Sequence, residues 1–137
     1  MNDEKTINVL LIDDNDANRL VLEFSIKHNI ELGREIVIYS AEDGFKGLEM
    51  YNSIHPKIIM LDIQMPGING WEVASKIRKY ELENKLGRSK IIAHSGYVHN
   101  IGGLNKDPNF DGFLPKPFTK NNLKNIFSEY IINVEKK

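Results

Sequence analysis

The chain has 137 residues, with 18 Lys plus Arg against 19 Asp plus Glu and a net charge of -1. That is enough for one domain with its own core and too balanced for any global attraction to nucleic acid or anionic membranes. There is no cysteine, which excludes disulfides, thiolate metal sites and thiol catalysis.

The N-terminal MNDEKT lacks an apolar signal core, and no apolar run approaches the roughly 20 residues that span a bilayer. The expectation is a single domain over 1–137, with a core of about 7–134, in the cytoplasm and without nucleic-acid or membrane partners.

Ile7 to Ile12 is almost continuously apolar and stops at Asp13-Asp14-Asn15-Asp16, which reads as a buried first strand with an acidic tip. Ala17, Leu20, Val21, Phe24 and His28 then recur at helical spacing, with Asn15 or Asp16 as N-cap. Helix 1 is expected to bury that stripe and to turn Leu22 and Ile26 outward. His28 at the end of the stripe reads as a packed or C-terminus-facing histidine rather than a metal ligand.

Glu35 to Ser40 is a β-rich second strand, and Ala41-Glu42-Asp43-Gly44 opens a second helix with Phe45, Leu48 and Tyr51 on one side, closed by His55-Pro56. Ile58 to Leu61 is apolar throughout, as a strand buried on both faces is. Asp62 follows at once and Pro66-Gly67 forbids further extension, so this carboxylate sits where strand becomes loop.

Asn69-Gly70 leads into a third helix that buries Val73, Ala74 and Ile77, with Trp71 near its start, and that fades through the charged ELENKLGRSK stretch. Ile91 to Ser95 is the fourth strand, ending beside Gly96. Tyr97 to Asn109 is expected to hold only a short, marginal fourth helix, because Gly102 and Gly103 each cost about 1 kcal/mol in a helix interior. Its order is expected to respond to what binds beside Ser95 at its N-terminal end. Phe113-Leu114, before Pro115-Lys116-Pro117, is a short fifth strand. Thr119 caps a fifth helix whose Leu123, Ile126, Phe127, Tyr130, Ile131 and Val134 form the cleanest amphipathic stripe in the chain.

Five strand-helix pairs in alternation predict an α/β fold, a doubly wound five-stranded parallel sheet with right-handed crossovers. All strand C-termini then share one edge, where ligands collect in such sheets, so Asp13, Asp14, Asp62, Ser95 and Lys116 can converge. Three packed carboxylates repel and raise one another's pKa, so the arrangement needs a cation. Hard oxygen donors with open positions suit Mg²⁺, which commonly coordinates phosphate. A metal, a lysine and a hydroxyl together supply the positioning and electrostatics that phosphoryl transfer needs, with Asp62 as the plausible nucleophile.

The Asp13-Asp14 pair, LDIQMPGING around Asp62, the strand-ending Ser95 and Lys116-Pro117-Phe118 together resemble the response-regulator receiver domain of two-component and phosphorelay signalling, over about Ile7 to Val134. The resemblance implies a flavodoxin-like sheet of order 2-1-3-4-5 and phosphorylation of Asp62. It implies Mg²⁺ held by Asp14 directly, by Asp13 mostly through water, by Asp62 and by the backbone carbonyl of Gln64. It further implies that Ser95 bonds the phosphoryl group and Lys116 pairs with it, with Ser95 and Phe113 as the switch positions. Such a module is not an enzyme on other substrates; it catalyses only its own phosphorylation and dephosphorylation.

Asn18-Arg19 after the acidic pair is similar to the DDNxxNR pattern of receivers attached to hybrid kinases. The implied donor is a histidine kinase or histidine-phosphotransfer protein docking on helix 1 through Asn18, Leu22 and Ile26. The downstream partner is expected on the face of helix 4, strand 5 and helix 5. The chain departs from the usual pattern at His94, where an aliphatic is common, and at Gly96, where alanine is.

A Mg-dependent aspartyl-phosphate phosphatase is a rival, but such enzymes need a second acid two residues after the nucleophile. Position 64 is glutamine, and Asp13 has Asn15 at that offset. A flavin module would need a Ser/Thr/Gly-rich phosphate cradle, whereas DDNDAN repels phosphate without a cation. A receiver-like scaffold that acts without phosphorylation is the third alternative. No effector segment follows Val134, so the expectation is action through partner binding, or a chain that is one segment of something longer.

Overall fold

Runs of aliphatic residues that each stop at a polar residue build the sheet. In the computed structural model, which describes residues 6–31, 33–96 and 107–135, the strands are β1 (Thr6–Ile12), β2 (Glu35–Ala41), β3 (Ile58–Leu61), β4 (Lys90–Ser95) and β5 (Gly112–Pro115). All pair in parallel in the order β2-β1-β3-β4-β5, the flavodoxin-like topology expected. The register sets Ile12 beside both Ala41 and Leu61, and Leu61 beside Ala93. Asp13 and Asp62 therefore leave adjacent strands at the same level.

The described helices are α1 (Asp16–Asn29), α2 (Gly44–Ile54), α3 (Gly70–Glu83) and α4 (Lys120–Glu135), the last being the expected fifth helix. Alternate strand residues point to opposite faces, and the core divides accordingly. Ile7, Val9 and Leu11 pack with Leu22 and Ile26 of α1 and Leu123 and Phe127 of α4. Leu10, Ile12, Ile59 and Leu61 pack with Tyr51 of α2 and Val73, Ala74 and Ile77 of α3. Thr119 and Asn122 exchange hydrogen bonds at the start of α4, and Asn69 and Glu72 form a capping box on α3, two starts that the residue pattern announces. No helix of the described residues is long and apolar enough to cross a membrane.

The face assigned to helix 1 is corrected. Leu22 and Ile26 are buried, whereas Leu20, Val21 and Phe24 are 65%, 55% and 61% exposed. Ala17 and His28 are exposed too, and His28 stacks on Phe24 at 3.9 Å. Two apolar stripes share this helix, and the longer one lies outward. Leu22, Ile26 and Ile30 recur every fourth residue and fill the gap over β1. On α2, Phe45 likewise faces solvent while Tyr51 is buried. The expected fourth helix falls mostly on residues 97–106, which lie outside the described ones. Residues 107–109 form a turn closed by Asn109 N–H to Asp107 Oδ1 at 2.8 Å.

Between α2, α3, β4 and the turn before β5 lies a buried polar knot. Glu81 Oε2 accepts from Tyr51 Oη at 3.0 Å, Ser89 N at 2.9 Å and Ser89 Oγ at 2.7 Å. Arg78 donates to Glu81 Oε1 at 2.9 Å, Asp111 Oδ2 at 2.7 Å and the Ser89 and Asn109 carbonyls at 2.8 and 3.1 Å. Burial pushes the Glu81 carboxyl up, but the hydrogen bonds from Ser89, Arg78 and Tyr51 outweigh it and hold the group below its ordinary range. Burial and the bond to Glu81 raise the Tyr51 phenol.

Candidate functional site

Strand termination places the site. Asp13 directly follows β1 and Asp62 directly follows β3, with Asp62 N–H bonded to the Ile12 carbonyl at 2.9 Å. Both carboxylates are buried, at 4% and 6% exposure, while Asp14 faces solvent. One ligand oxygen from each of Asp13, Asp14 and Asp62 can be chosen so that all three lie within 4.8 Å of one another.

The Asp13 side chain is held from two sides. Oδ1 accepts Asn15 N–H at 2.9 Å, and Oδ2 accepts from Lys116 Nζ at 2.8 Å. Lys116 Nζ is also 3.5 Å from Asp62 Oδ1, and Gln64 N–H lies 3.4 Å from the same oxygen. The exposed Gln64 thus sits two residues beyond Asp62, against its carboxylate.

Burial raises the Asp62 pKa to about 6, with Lys116 opposing the rise and Asp13 adding to it. A carboxylate left this uncomfortable favours a cation beside it. The donor set is all oxygen and strongly anionic, which fits Mg²⁺.

Ser95 ends β4, is buried, and accepts Lys116 N–H on its carbonyl at 3.1 Å. Phe113 on β5 is half-buried and packs against the cluster of Ile63 and Ala93, as Trp71 and Phe110 do. The structure thus gathers Asp13, Asp14, Asp62 and Lys116 at one edge, with Ser95 on the adjacent strand and Phe113 beside the residue that follows Asp62. Asn18 is half-buried on α1; Leu22 and Ile26 belong to the core and not to any surface.

The roles of two residues escaped the sequence reading. Arg19 donates to the Asp13 carbonyl at 2.6 Å and pairs with Asp16, bracing the acidic loop against α1; its place in the DDNxxNR pattern is the signal that could have found it. Gly70 reads as a helix start, yet a Cβ there would lie 2.5 Å from the Asp62 carbonyl oxygen and 2.7 Å from the Ile63 Cα. With its N–H on the Ile63 carbonyl at 2.8 Å, Gly70 lets α3 close directly under the Asp62 loop. Backbone on backbone cannot yield to a methyl.

A parallel sheet in this order, with a carboxylate cluster and a lysine at its C-terminal edge, defines a phosphoacceptor type of signalling domain. The response regulator receiver domain model matches residues 9–128, and the chain belongs to that family. It is 31% identical over 124 residues to the nitrate/nitrite response regulator protein NarL of Escherichia coli, covering 90% of this chain and 54% of NarL. It is 33% identical over 125 residues to the peroxide stress-activated histidine kinase mak1 of Schizosaccharomyces pombe, covering 88% of this chain and 7% of that kinase. The chain therefore spans about half the length of NarL and a small part of mak1. Among solved structures, the response regulator TrrA of Thermotoga maritima, in complex with Mg(2+)-BeF, matches with a TM-score of 0.75 at 29% identity, covering 90% of this chain and 97% of that one.

Proposed function

We propose that the chain is a single receiver domain over 1–137, with its core at about 7–134, that accepts a phosphoryl group on Asp62 in a Mg²⁺-dependent reaction and thereby switches partner binding. The observation that carries this reading is the buried Asp62 carboxylate with Lys116 Nζ at 3.5 Å and the Asp13 and Asp14 oxygens beside it. An Asp62 carboxylate oxygen forms a bond to phosphorus as the bond from phosphorus to the donor's imidazole nitrogen breaks, and the departing imidazole takes up a proton. Asp13, Asp14, Asp62 and the Gln64 carbonyl would hold Mg²⁺, which when bound neutralises charge on the phosphoryl oxygens. Lys116 moves from Asp13 to a phosphoryl oxygen, Ser95 donates its hydroxyl to another, and Phe113 follows as the switch. The domain turns over no other substrate.

Incubation with phosphoramidate and Mg²⁺, followed by mass spectrometry of the intact chain, tests this reading. One acyl phosphate on Asp62 is expected. Labelling that persists in EDTA would sink it.

The phosphoryl donor is a histidine kinase or histidine-phosphotransfer protein in the cytoplasm, and its contact is the exposed α1 face of Leu20, Val21 and Phe24. Support comes from the size of this apolar ridge beside the acidic loop and from the likeness to mak1. The downstream partner takes the face of the expected fourth helix, β5 and α4. Leu20→Ser/Phe24→Ser removes only exposed surface, so phosphorylation by phosphoramidate should be unchanged. Transfer from a histidine donor should slow about tenfold or more, the usual cost of losing a contact hot spot. Equal rates of transfer from the histidine donor in the variant and the parent would refute this docking face.

A further inference from the structure

On the α1 side of Lys116, a cavity of about 340 Å³ opens between α1 and the turn from β5 into α4, a volume within the range of small-ligand pockets. His94 lines it and is only 4% exposed. Its Nδ1 lies 3.0 Å from the Leu114 carbonyl oxygen. That oxygen can only accept, so Nδ1 carries the proton and Nε2 the lone pair. Burial lowers the His94 pKa to about 4, which keeps the ring neutral at physiological pH.

Among the described residues Nε2 has no hydrogen-bond partner, yet no fully buried side-chain nitrogen or oxygen is left unpartnered. Nε2 therefore reaches solvent, and the cavity that His94 lines is its way out. Around this buried acceptor the walls are apolar at Val21 and Phe118, whose ring meets the imidazole edge-on at 5.7 Å, and polar at Ser25 and Asn29. The rim carries Asn18 and Lys120.

An occupant must satisfy all three features. A purely apolar guest would strand the Nε2 lone pair. A cationic guest would be opposed by Lys116 and Lys120, both at the cavity. We propose that this cavity binds a small hydroxyaromatic acid, its hydroxyl donating to His94 Nε2, its ring between Val21 and Phe118, and its carboxylate at the rim near Lys120. This goes beyond the phosphoacceptor reading and does not depend on it.

The test titrates the ¹⁵N-labelled full chain with 4-hydroxybenzoate and, separately, with benzoate, which lacks the donor. Saturable amide shifts confined to α1, His94 and the turn before α4 are expected for 4-hydroxybenzoate. Benzoate should bind about tenfold more weakly or worse, because a site built around a hydrogen bond rejects the analogue without it. His94→Phe should erase the difference between the two. Ser25→Phe, which fills the cavity from α1, should abolish binding with the remaining spectrum unchanged, and it decides the matter if His94→Phe does not fold. Equal affinity for the two acids, shifts elsewhere, no saturable shift, or unaltered binding in Ser25→Phe would overturn the proposal.

Discussion

Asp62→Asn should abolish phosphorylation by phosphoramidate and by any histidine donor, because a carboxamide offers no nucleophilic oxygen while leaving the shape of the site intact. The same substitution should stabilise the metal-free protein at neutral pH. Burial raises the Asp62 pKa from 3.8 to about 6, so the folded state holds this proton more tightly than the unfolded chain. The contribution of the group is favourable below pH ~4 and is lost as pH rises through about 6, since each pKa unit is worth about 1.4 kcal/mol. Asparagine never ionises. Its gain over aspartate should approach about 3 kcal/mol above pH 7 and vanish below pH ~4. Mg²⁺ should close most of this gap: it stabilises the parent by about 2.7 kcal/mol at a hundred times its Kd and leaves Asp62→Asn almost unmoved. Urea melts at pH 4 and pH 7.5, with and without Mg²⁺, read all of this. A parent more stable than Asp62→Asn at pH 7.5 without metal would contradict it.

The second large effect belongs to Arg78. Its guanidinium is 11% exposed and lies between Glu81 at 7% and Asp111 at 15%. Arg78→Ala leaves both carboxylates short of a cation in a buried setting, which costs about 3 kcal/mol or more when one partner of a buried pair is removed. Asp111 retains Arg88 at 3.0 Å and Glu81 retains Tyr51 and Ser89, so the fold should survive with a lowered urea midpoint. Arg88→Ala is the internal comparison. That side chain is 47% exposed, and its loss should cost less than about 1 kcal/mol, as for surface ion pairs. Similar costs for the two would show that the knot contributes no more than a surface contact.

The strands and the carboxylate edge could be read from the chain because a buried parallel strand leaves an unbroken apolar run. The first polar residue after each run, Asp13 or Asp62, is then fixed at the sheet's edge. Lys116 was legible through alternation and the Lys116-Pro117-Phe118 motif rather than through any local pairing, since 103 residues separate it from the Asp13 it contacts.

The α1 face was not legible. Both stripes have helical period, and nothing local distinguishes a ridge kept for solvent from one that fills the space above β1. Glu81 was hidden for another reason. It lies in a charged stretch that reads as a solvated helix end, while Tyr51 and Asp111, which make the knot possible, arrive from distant parts of the chain. Gly70 looked like a helix opener because its constraint, the Asp62 carbonyl oxygen 2.5 Å from where a Cβ would sit, exists only in three dimensions.

The packing around Trp71 has an optical consequence. It is the chain's single tryptophan, its ring meets Phe110 edge-on at 5.7 Å, and both, like Phe113, pack against the cluster of Ala93 and Ile63, the residue after Asp62. Emission excited at the red edge, beyond tyrosine absorption, therefore originates from one indole packed beside the acidic loop. A shift in that emission when beryllofluoride and Mg²⁺ are added would place the aromatic cluster in the path from Asp62 to the domain surface.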